Sequence, residues 1–104
     1  MLATTTGRRS GQPHAVPLMA FPDAGRLVLV ASNGGQDKHP AWYLNALGNP
    51  TVTVRRGDDT HVMRARVVTA DEKAELWPRI VEWWDRYDTY QRRTTRDIPL
   101  LILE

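Results

Sequence analysis

The sequence predicts an α+β domain that is mainly β, built as a small antiparallel barrel with helices at its flanks. Three observations support this prediction. Short apolar runs alternate with turn-forming residues along most of the chain, several turns are short enough to join neighbouring strands, and only two segments have helical periodicity. Strands joined by hairpins pair antiparallel, and helices inserted between them can cover the outside of a small barrel.

The first half of the chain is predicted to contain one helix and three strands. The strands are Leu2–Thr6, Ala15–Phe21 and Arg26–Ser32. Pro22-Asp23-Ala24-Gly25 has the composition of a turn and would join the second and third strands as a hairpin. The third strand is apolar enough to be buried on both faces. A helix follows from about Pro40 to Leu47, and Gly48-Asn49-Pro50 stops it.

The second half is predicted to contain a hairpin, a longer helix and a last strand. The hairpin strands are Thr51–Arg56 and Thr60–Val68, joined by Gly57-Asp58-Asp59. Thr69 and Glu72 have the spacing of a capping box, and the helix behind them runs to about Trp84. Pro78 is expected to kink or restart this helix. A polar aromatic segment, residues 85–96, leads to the last strand, Ile98–Leu103.

Length and composition limit the class of protein. The chain has 104 residues, of which 41% are apolar and 25% charged, so we expect one globular domain over residues 1–104. It has no cysteine, which agrees with a reducing cytoplasm and excludes thiolate metal sites. No apolar run approaches the roughly 20 residues that span a membrane, and no signal-peptide pattern is present.

The basic residues indicate a small anionic ligand. The net charge is +2, and only Lys38 and Lys73 among the basic residues are not arginine, the side chain that binds phosphate or carboxylate through two parallel hydrogen bonds. Residues 1–22 contain Arg8, Arg9 and His14 but no acid. A nucleic-acid-binding protein would be more basic overall, so we expect no nucleic-acid partner.

Two loops are suited to an anion. Thr4 to Pro17 includes a glycine-punctuated turn with Arg8 and Arg9, which can direct backbone N–H groups and a guanidinium at one phosphate. An arginine pair in a turn is by itself more often a solvated surface feature. The second loop, Ala31–Gly35, offers Ser32 and Asn33 as hydrogen-bonding side chains and precedes a helix that begins near Trp42.

An aromatic row can form the wall of a pocket or pack in a core, and core packing is the usual place for tryptophan. Trp84, Tyr87 and Tyr90 lie three residues apart, so a helical turn would place them along one edge. Hydrolase, Walker and zinc-protease motifs are absent. His14, His39 and His61 lack the spacing of a metal cluster, and His61 is expected to face the barrel wall. We therefore expect no metal, and a bound cofactor that supplies the chemistry.

Together these segments resemble the deazaflavin-dependent nitroreductase family of actinobacteria. The matching segments follow the family order over nearly the whole chain: Thr5–Pro13, Val16–Leu18, Ala31–Gly35, Pro40–Asn45, Gly48–Pro50 and Tyr90–Pro99. The resemblance implies a split β-barrel of the FMN-binding type and a single reductase domain that lacks the family's usual N-terminal helix. It also implies coenzyme F-420, a deazaflavin with a phosphate-rich tail, as the hydride donor.

The resemblance also implies roles for individual residues. The phosphate and tail would be held by Arg9, His14, Ser32 and Asn33. The deazaflavin ring would be surrounded by Pro17, Met19, Val30, Ala41, Trp42 and Asn45. The substrate side would be lined by Trp84, Tyr87 and Tyr90, with the two tyrosines as the catalytic candidates. Four of these positions depart from the family pattern: His14, Met19, Asn33 and Trp84.

The leading hypothesis is an F-420-dependent oxidoreductase that transfers hydride to an electron-poor acceptor such as a quinone, an enone or a nitroaromatic. Two alternatives stay open: an FMN-binding or haem-type split-barrel protein, and a non-catalytic deazaflavin-binding protein. The expected partner is a small-molecule acceptor. Peripheral membrane contact and a homodimer also stay open, and Val52, Val54 or Trp83 could face a partner subunit.

Overall fold

A computed structural model describes all residues from 1 to 104 as one antiparallel sheet with three α-helices, which confirms the predicted fold class. The strands are β1 (Leu2–Thr6), β2 (Pro13–Pro17), β3 (Phe21–Asp23), β4 (Arg26–Val30), β5 (Thr51–Arg56), β6 (Asp59–Val67) and β7 (Leu100–Leu103). The helices are α1 (Ala41–Gly48), α2 (Ala70–Trp83) and α3 (Arg86–Arg92), and a single 3₁₀ turn spans Asn33–Gly35. None of the helices is long and apolar enough to cross a membrane.

The sheet turns a corner along its longest strand. Its order is β2-β1-β5-β6-β7-β4-β3. Residues 59–64 of β6 pair with β5, whereas residues 65–67 pair with β7. Because one nine-residue strand belongs to both parts, the two halves of the sheet fold over a common interior.

Strands β4 and β7 are buried on both faces, as the apolar run in β4 predicts. Alternate side chains point to opposite faces of a strand, so each of these strands contributes to two cores. The interior core contains Leu27, Leu29, Leu101 and Leu103, packed with Val52 and Val54 of β5. The outer core contains Val28, Val30, Leu100 and Ile102, packed against Leu76 and Ile80 of α2 and Tyr87 of α3. The two cores together fix the helices against the barrel.

The predicted strand Ala15–Phe21 is wrong. β2 ends at Pro17, residues 18–20 leave the sheet, and a separate short strand begins at Phe21. Proline has no N–H to donate, which confines it to edge positions, and β2 is an edge strand. The first hairpin therefore joins β1 to β2 across the arginine turn. Of the predicted hairpin, only three residue pairs between β3 and β4 are present. Ala24 and Gly25 form its turn, and both have a positive φ.

From α2 to the end of the chain, one predicted feature is confirmed and three differ. The capping box is confirmed, since Thr69 Oγ1 accepts from the Glu72 N–H at 3.2 Å and Glu72 Oε1 accepts from the Thr69 N–H at 2.9 Å. However, α2 continues through Pro78 without restarting. A third helix, α3, replaces most of the polar aromatic segment. The last strand begins at Leu100 rather than Ile98.

Three side chains lie elsewhere than expected. Val52 and Val54 are buried in the interior core and cannot face a partner, whereas Trp83 is 41% exposed and packs edge-on against Phe21. His61 is paired with the buried Val54 in the sheet, but its own side chain is exposed.

Glu72 makes the stability of the chain sensitive to acid. Two hydrogen bonds from Arg66, at 2.8 and 2.9 Å, and one from the Thr69 N–H lower the pKa of Glu72 from 4.5 to about 2. A carboxyl whose pKa is lowered by folding stabilises the fold fully above its ordinary pKa, and this contribution disappears as the pH falls through the folded value. The contribution of Glu72 is therefore lost between pH 4.5 and about 2.

We expect Glu72→Gln to flatten the pH dependence of the thermal midpoint between pH 4.5 and 2, measured by circular dichroism. Glu75→Gln on the same helix is the control, because its only ion pair is a long one of 3.9 Å to Arg79. Equal slopes for the two variants would contradict the assignment.

Candidate functional site

Two neighbouring cavities, each of about 530 Å³, lie beside α1. Val16 and Trp42 line both of them, and neither is lined by an aspartate or a glutamate. The first, here called the arginine cavity, is completed by Thr5, Gly7, Arg8, Arg9, Ser10, His14, Ala41 and Asn45. The second, here called the aromatic cavity, is completed by Pro17, Leu18, Met19, Leu29, Val30, Ser32, Asn33, Gly34, Gln36, Pro40, Trp84, Tyr87 and Tyr90.

The turn between β1 and β2 forms the polar side of the arginine cavity. The Gly7 N–H donates to the Gln12 carbonyl at 2.8 Å, and the Gly11 N–H donates to the Gly7 carbonyl at 2.9 Å. Ser10 Oγ lies 3.3 Å from His14 Nε2. A Cβ on Gly7 would lie 2.5 Å from Ser10 Oγ and 2.7 Å from His14 Nε2. Only glycine at this position lets the serine and histidine close over the turn.

The two adjacent arginines differ in their partners. Asn45 Oδ1 accepts from the backbone N–H of Arg8 at 3.2 Å and from Arg8 Nη1 at 2.9 Å. Asn45 is 5% exposed, and its Nδ2 lies 3.5 Å from Thr5 Oγ1, so it fixes Arg8 to α1 and β1. Arg9 is exposed, and its side chain has no hydrogen-bond or ion-pair partner in the chain. Its guanidinium is therefore free to bind an anion at the cavity.

Three aromatic side chains form one wall of the aromatic cavity. The ring centroid of Trp84 lies 4.8 Å from that of Tyr87 and 6.0 Å from that of Tyr90, and all three pairs are edge-to-face. Tyr87 is 5% exposed, and this burial raises the pKa of its hydroxyl above 10.0. The hydroxyl makes no hydrogen bond within the chain. Every fully buried side-chain nitrogen or oxygen atom has a hydrogen-bond partner, so this hydroxyl is not fully buried. The Tyr87 hydroxyl is thus neutral near pH 7 and accessible to solvent.

The loop after β4 forms a rim of the same cavity. Asn33 and Gly34 have φ of 47° and 64°, and Asn33 Nδ2 donates to the Lys38 carbonyl at 3.0 Å. The side chain of Ser32 is buried and makes no hydrogen bond within the chain. The Ser32 hydroxyl is therefore a free polar group of this rim.

Every residue to which the resemblance gave a role lines one of the two cavities, although the grouping differs from the prediction. The structure separates Arg9 and His14, in the arginine cavity, from Ser32 and Asn33, in the aromatic cavity. Ala41 and Asn45 lie with Arg9 instead of with the other predicted ring contacts. Those other contacts, in the aromatic cavity, are Pro17, Met19, Val30 and Trp42. Their individual roles stay predictions.

Sequence reasoning missed the contacts of one residue that shapes the site and missed a second residue altogether. It gave Asn45 a place beside the ring, but not its hydrogen bonds to Arg8. It gave no role to Arg96, whose guanidinium binds the backbone carbonyls of Ala31, Ser32 and Gln36. The only sequence signal for Arg96 is its position within the matching segment Tyr90–Pro99.

The donor groups and the shape of the cavities fit one kind of ligand. Arg9, Ser10 and His14 offer a cation and polar groups with no acid beside them, which suits an anionic chain. The apolar and aromatic lining next to them suits a flat ring. No group of three or more histidine, aspartate or glutamate side chains is arranged to hold a metal ion. The residues therefore fit a ring with an anionic tail.

Comparisons with known proteins agree with this fit. The sequence of residues 1–104 matches the family described as F-420H(2)-dependent quinone reductase. A Mycobacterium tuberculosis protein assigned as an F-420H(2)-dependent quinone reductase is 38% identical over 103 residues, which is 99% of this chain and 87% of that protein.

Solved structures give the same result. A structure named as an F-420-H2 dependent reductase has a TM-score of 0.88 and 43% identity, covering 99% of this chain and 91% of that one. Another, described as a domain-swapped dimer, has a TM-score of 0.89 and 43% identity, covering 99% and 78%. A Listeria innocua protein assigned as a pyridoxamine 5′-phosphate oxidase, with a TM-score of 0.67 and 17% identity, shares the fold alone.

Proposed function

Because the chain belongs to the F-420H(2)-dependent quinone reductase family, we propose that it is an enzyme that uses reduced coenzyme F-420 to reduce a quinone. The single observation that best supports this function is the pair of adjoining cavities, one with an unpaired arginine and one with an aromatic wall. The FMN-binding alternative has no comparable support, since the distant neighbours resemble this chain in fold only.

The arginine cavity would hold the anionic tail of the cofactor. Arg9 would contribute a charge-assisted hydrogen bond, and Ser10 and His14 would add polar contacts. Arg8, fixed by Asn45, would add positive charge with little loss of side-chain freedom on binding.

The aromatic cavity would hold the ring, with Trp42 between the two cavities and Pro17, Met19 and Val30 around it. When bound, the deazaflavin supplies a hydride from its C5. The contribution of the protein is to orient the two reactants and to exclude water between them. The apolar lining of the aromatic cavity is suited to both tasks.

Tyr87 would stand on the substrate side as a proton donor. Its raised pKa keeps the hydroxyl protonated near pH 7, and the hydroxyl has no partner in the chain. A quinone gains a hydride and a proton on reduction, so a neutral phenol beside one quinone oxygen can supply the proton.

The proposed activity is tested by mixing the protein with chemically reduced coenzyme F-420 and menadione without oxygen. We expect the absorbance of the oxidised cofactor to appear at a rate proportional to enzyme and saturable in quinone. Tight binding of the cofactor without its oxidation by menadione, or by a nitroaromatic acceptor, would favour the non-catalytic alternative.

Tyr87→Phe is expected to lower kcat for quinone reduction by roughly 10- to 100-fold, with a smaller change in KM, because it removes the hydroxyl group that would donate the proton and keeps the aromatic ring. Tyr43→Phe is the matched control. Burial also raises the pKa of Tyr43, but this residue lines neither cavity. An unchanged kcat for Tyr87→Phe would assign the proton to solvent.

We further propose a homodimer. The similar structure described as a domain-swapped dimer supports it, as does the 72% exposure of Val62 on the outer face of β6. Light scattering after size-exclusion chromatography is expected to give twice the mass of 11.8 kDa. A single chain mass at micromolar concentration would contradict the dimer.

A further inference from the structure

The guanidinium of Arg96 is bound to backbone carbonyls of one loop. Nη2 donates to the Ser32 carbonyl at 2.6 Å, Nη1 to the Ala31 carbonyl at 3.1 Å, and Nε to the Gln36 carbonyl at 2.8 Å. Arg96 is half-buried and has no ion pair. The loop from Ala31 to Gln36 is thus held at both of its ends by one planar group.

Arg96 also contacts His39, which lies just beyond this loop. Arg96 Nη1 is 3.2 Å from His39 Nδ1. A guanidinium can only donate, so Nδ1 would be the acceptor of a hydrogen bond at this contact. Arg96 therefore uses every one of its three nitrogen atoms on residues between 31 and 39.

The loop and Asp37 just beyond it also contact α3 and the segment that follows α3. Thr94 Oγ1 donates to Asp37 Oδ1 at 2.8 Å. Gly35 lies so close to α3 that a Cβ on it would be 2.7 Å from the Tyr90 carbonyl oxygen. Helix α3 also bears Tyr87 and Tyr90, so the loop rim and the tyrosine wall of the aromatic cavity are parts of one packed unit.

We propose that Arg96 is a positioning residue that locks the Ala31–Gln36 loop to the segment after α3 and so fixes the position of the Ser32–Asn33 rim beside the tyrosine wall of the aromatic cavity. Its functional meaning rests on the proposed function, because Ser32 and Asn33 lie on the rim that would face the cofactor. An arginine is required, since the three carbonyls lie around a planar fork that the single ammonium of lysine cannot match.

The test uses Arg96→Lys and Arg96→Ala with two readouts that do not depend on activity. The first is hydrogen exchange at the Gly35 and Gln36 amides, which donate within the loop to the Ser32 and Asn33 carbonyls. The second is the affinity for oxidised coenzyme F-420, titrated by fluorescence. We expect exchange at both amides to accelerate at least about 10-fold and affinity to fall at least about 10-fold in both variants. Arg96→Lys keeps the positive charge, so it tests the planar guanidinium alone. It also keeps the proposal testable if Arg96→Ala does not fold.

Arg66→Ala is the control for general destabilisation. Arg66 also uses its three nitrogen atoms, on Glu72 and Glu104, and it lines neither cavity. We expect it to lower the thermal midpoint but to leave loop exchange and cofactor affinity unchanged. Normal exchange and affinity in Arg96→Lys, or equal losses in Arg66→Ala, would overturn the proposal. If the wild-type chain does not bind F-420, the proposed function fails, and the exchange rates alone then decide whether Arg96 locks the loop.

Discussion

Arg9→Ala is expected to weaken the binding of oxidised coenzyme F-420 by roughly 10- to 100-fold and to leave the thermal midpoint unchanged. Arg9 has no partner in the chain, so its removal breaks no contact of the fold. A hydrogen bond to a charged group contributes about 1.5–3 kcal/mol, which corresponds to this loss of affinity. The measurement is a fluorescence titration at two salt concentrations. Because salt screens an exposed charge, the difference between wild type and variant should shrink at the higher concentration.

Arg56→Ala is the matched control for this titration. Arg56 is also exposed and has no side-chain partner, but it lies next to the β5–β6 turn and lines neither cavity. It changes the net charge of the chain by the same amount. If Arg9→Ala and Arg56→Ala bind the cofactor equally well, Arg9 does not contact the anionic tail.

Gly35→Ala is expected to have the largest effect on stability, a loss of about 2–5 kcal/mol in the free energy of unfolding. Gly35 has a φ of 81°, where an L side chain is strained. An added Cβ would also lie 2.7 Å from the Tyr90 carbonyl oxygen and 2.9 Å from Arg93 Cβ. The nearest atom belongs to the backbone of α3, so relief requires the helix itself to move. Urea denaturation measures the loss.

Gly34→Ala separates the two causes. Gly34 has a φ of 64°, but nothing lies within 4 Å of the position that its Cβ would take. It should therefore cost only about 1–2 kcal/mol, the conformational penalty alone. Equal costs for the two variants would show that the contact between the loop and α3 is looser than the structure indicates.

The elements that the sequence predicted well depend on local signals. β1 and β5 have their predicted bounds, and the capping box at Thr69 and Glu72 is in place. In each case, the residues that determine the element lie within it or beside it, as with the alternation of Val52 and Val54. Helix α1 likewise follows from Pro40 at its start.

The elements that the sequence predicted poorly depend on distant contacts. β2 exists because it pairs with β1 across the arginine turn, and no apolar run marks its limits. α3 has only seven residues, too few to be stable alone, and it is held by the burial of Tyr87 in the outer core. The sequence gives the helical spacing of its aromatic residues but not the surface that orders them.

The candidate site shows the same division. The resemblance selected residues that all line the two cavities, because motif residues can be recognised one segment at a time. Its grouping into tail and ring contacts does not coincide with the two cavities, both of which Trp42 lines, and these roles stay predictions. Arg96 was missed because its partners are backbone carbonyls 60 to 65 positions away, which no side-chain pattern reveals.

The most direct test of the central claim is a parallel titration of the purified wild-type chain with oxidised coenzyme F-420 and with FMN, followed by fluorescence. The adjoining cavities predict saturable binding of F-420 at one site per chain, at least about 10-fold tighter than FMN, and weakened by added salt. Tighter binding of FMN, or no saturable binding of F-420, would contradict the account.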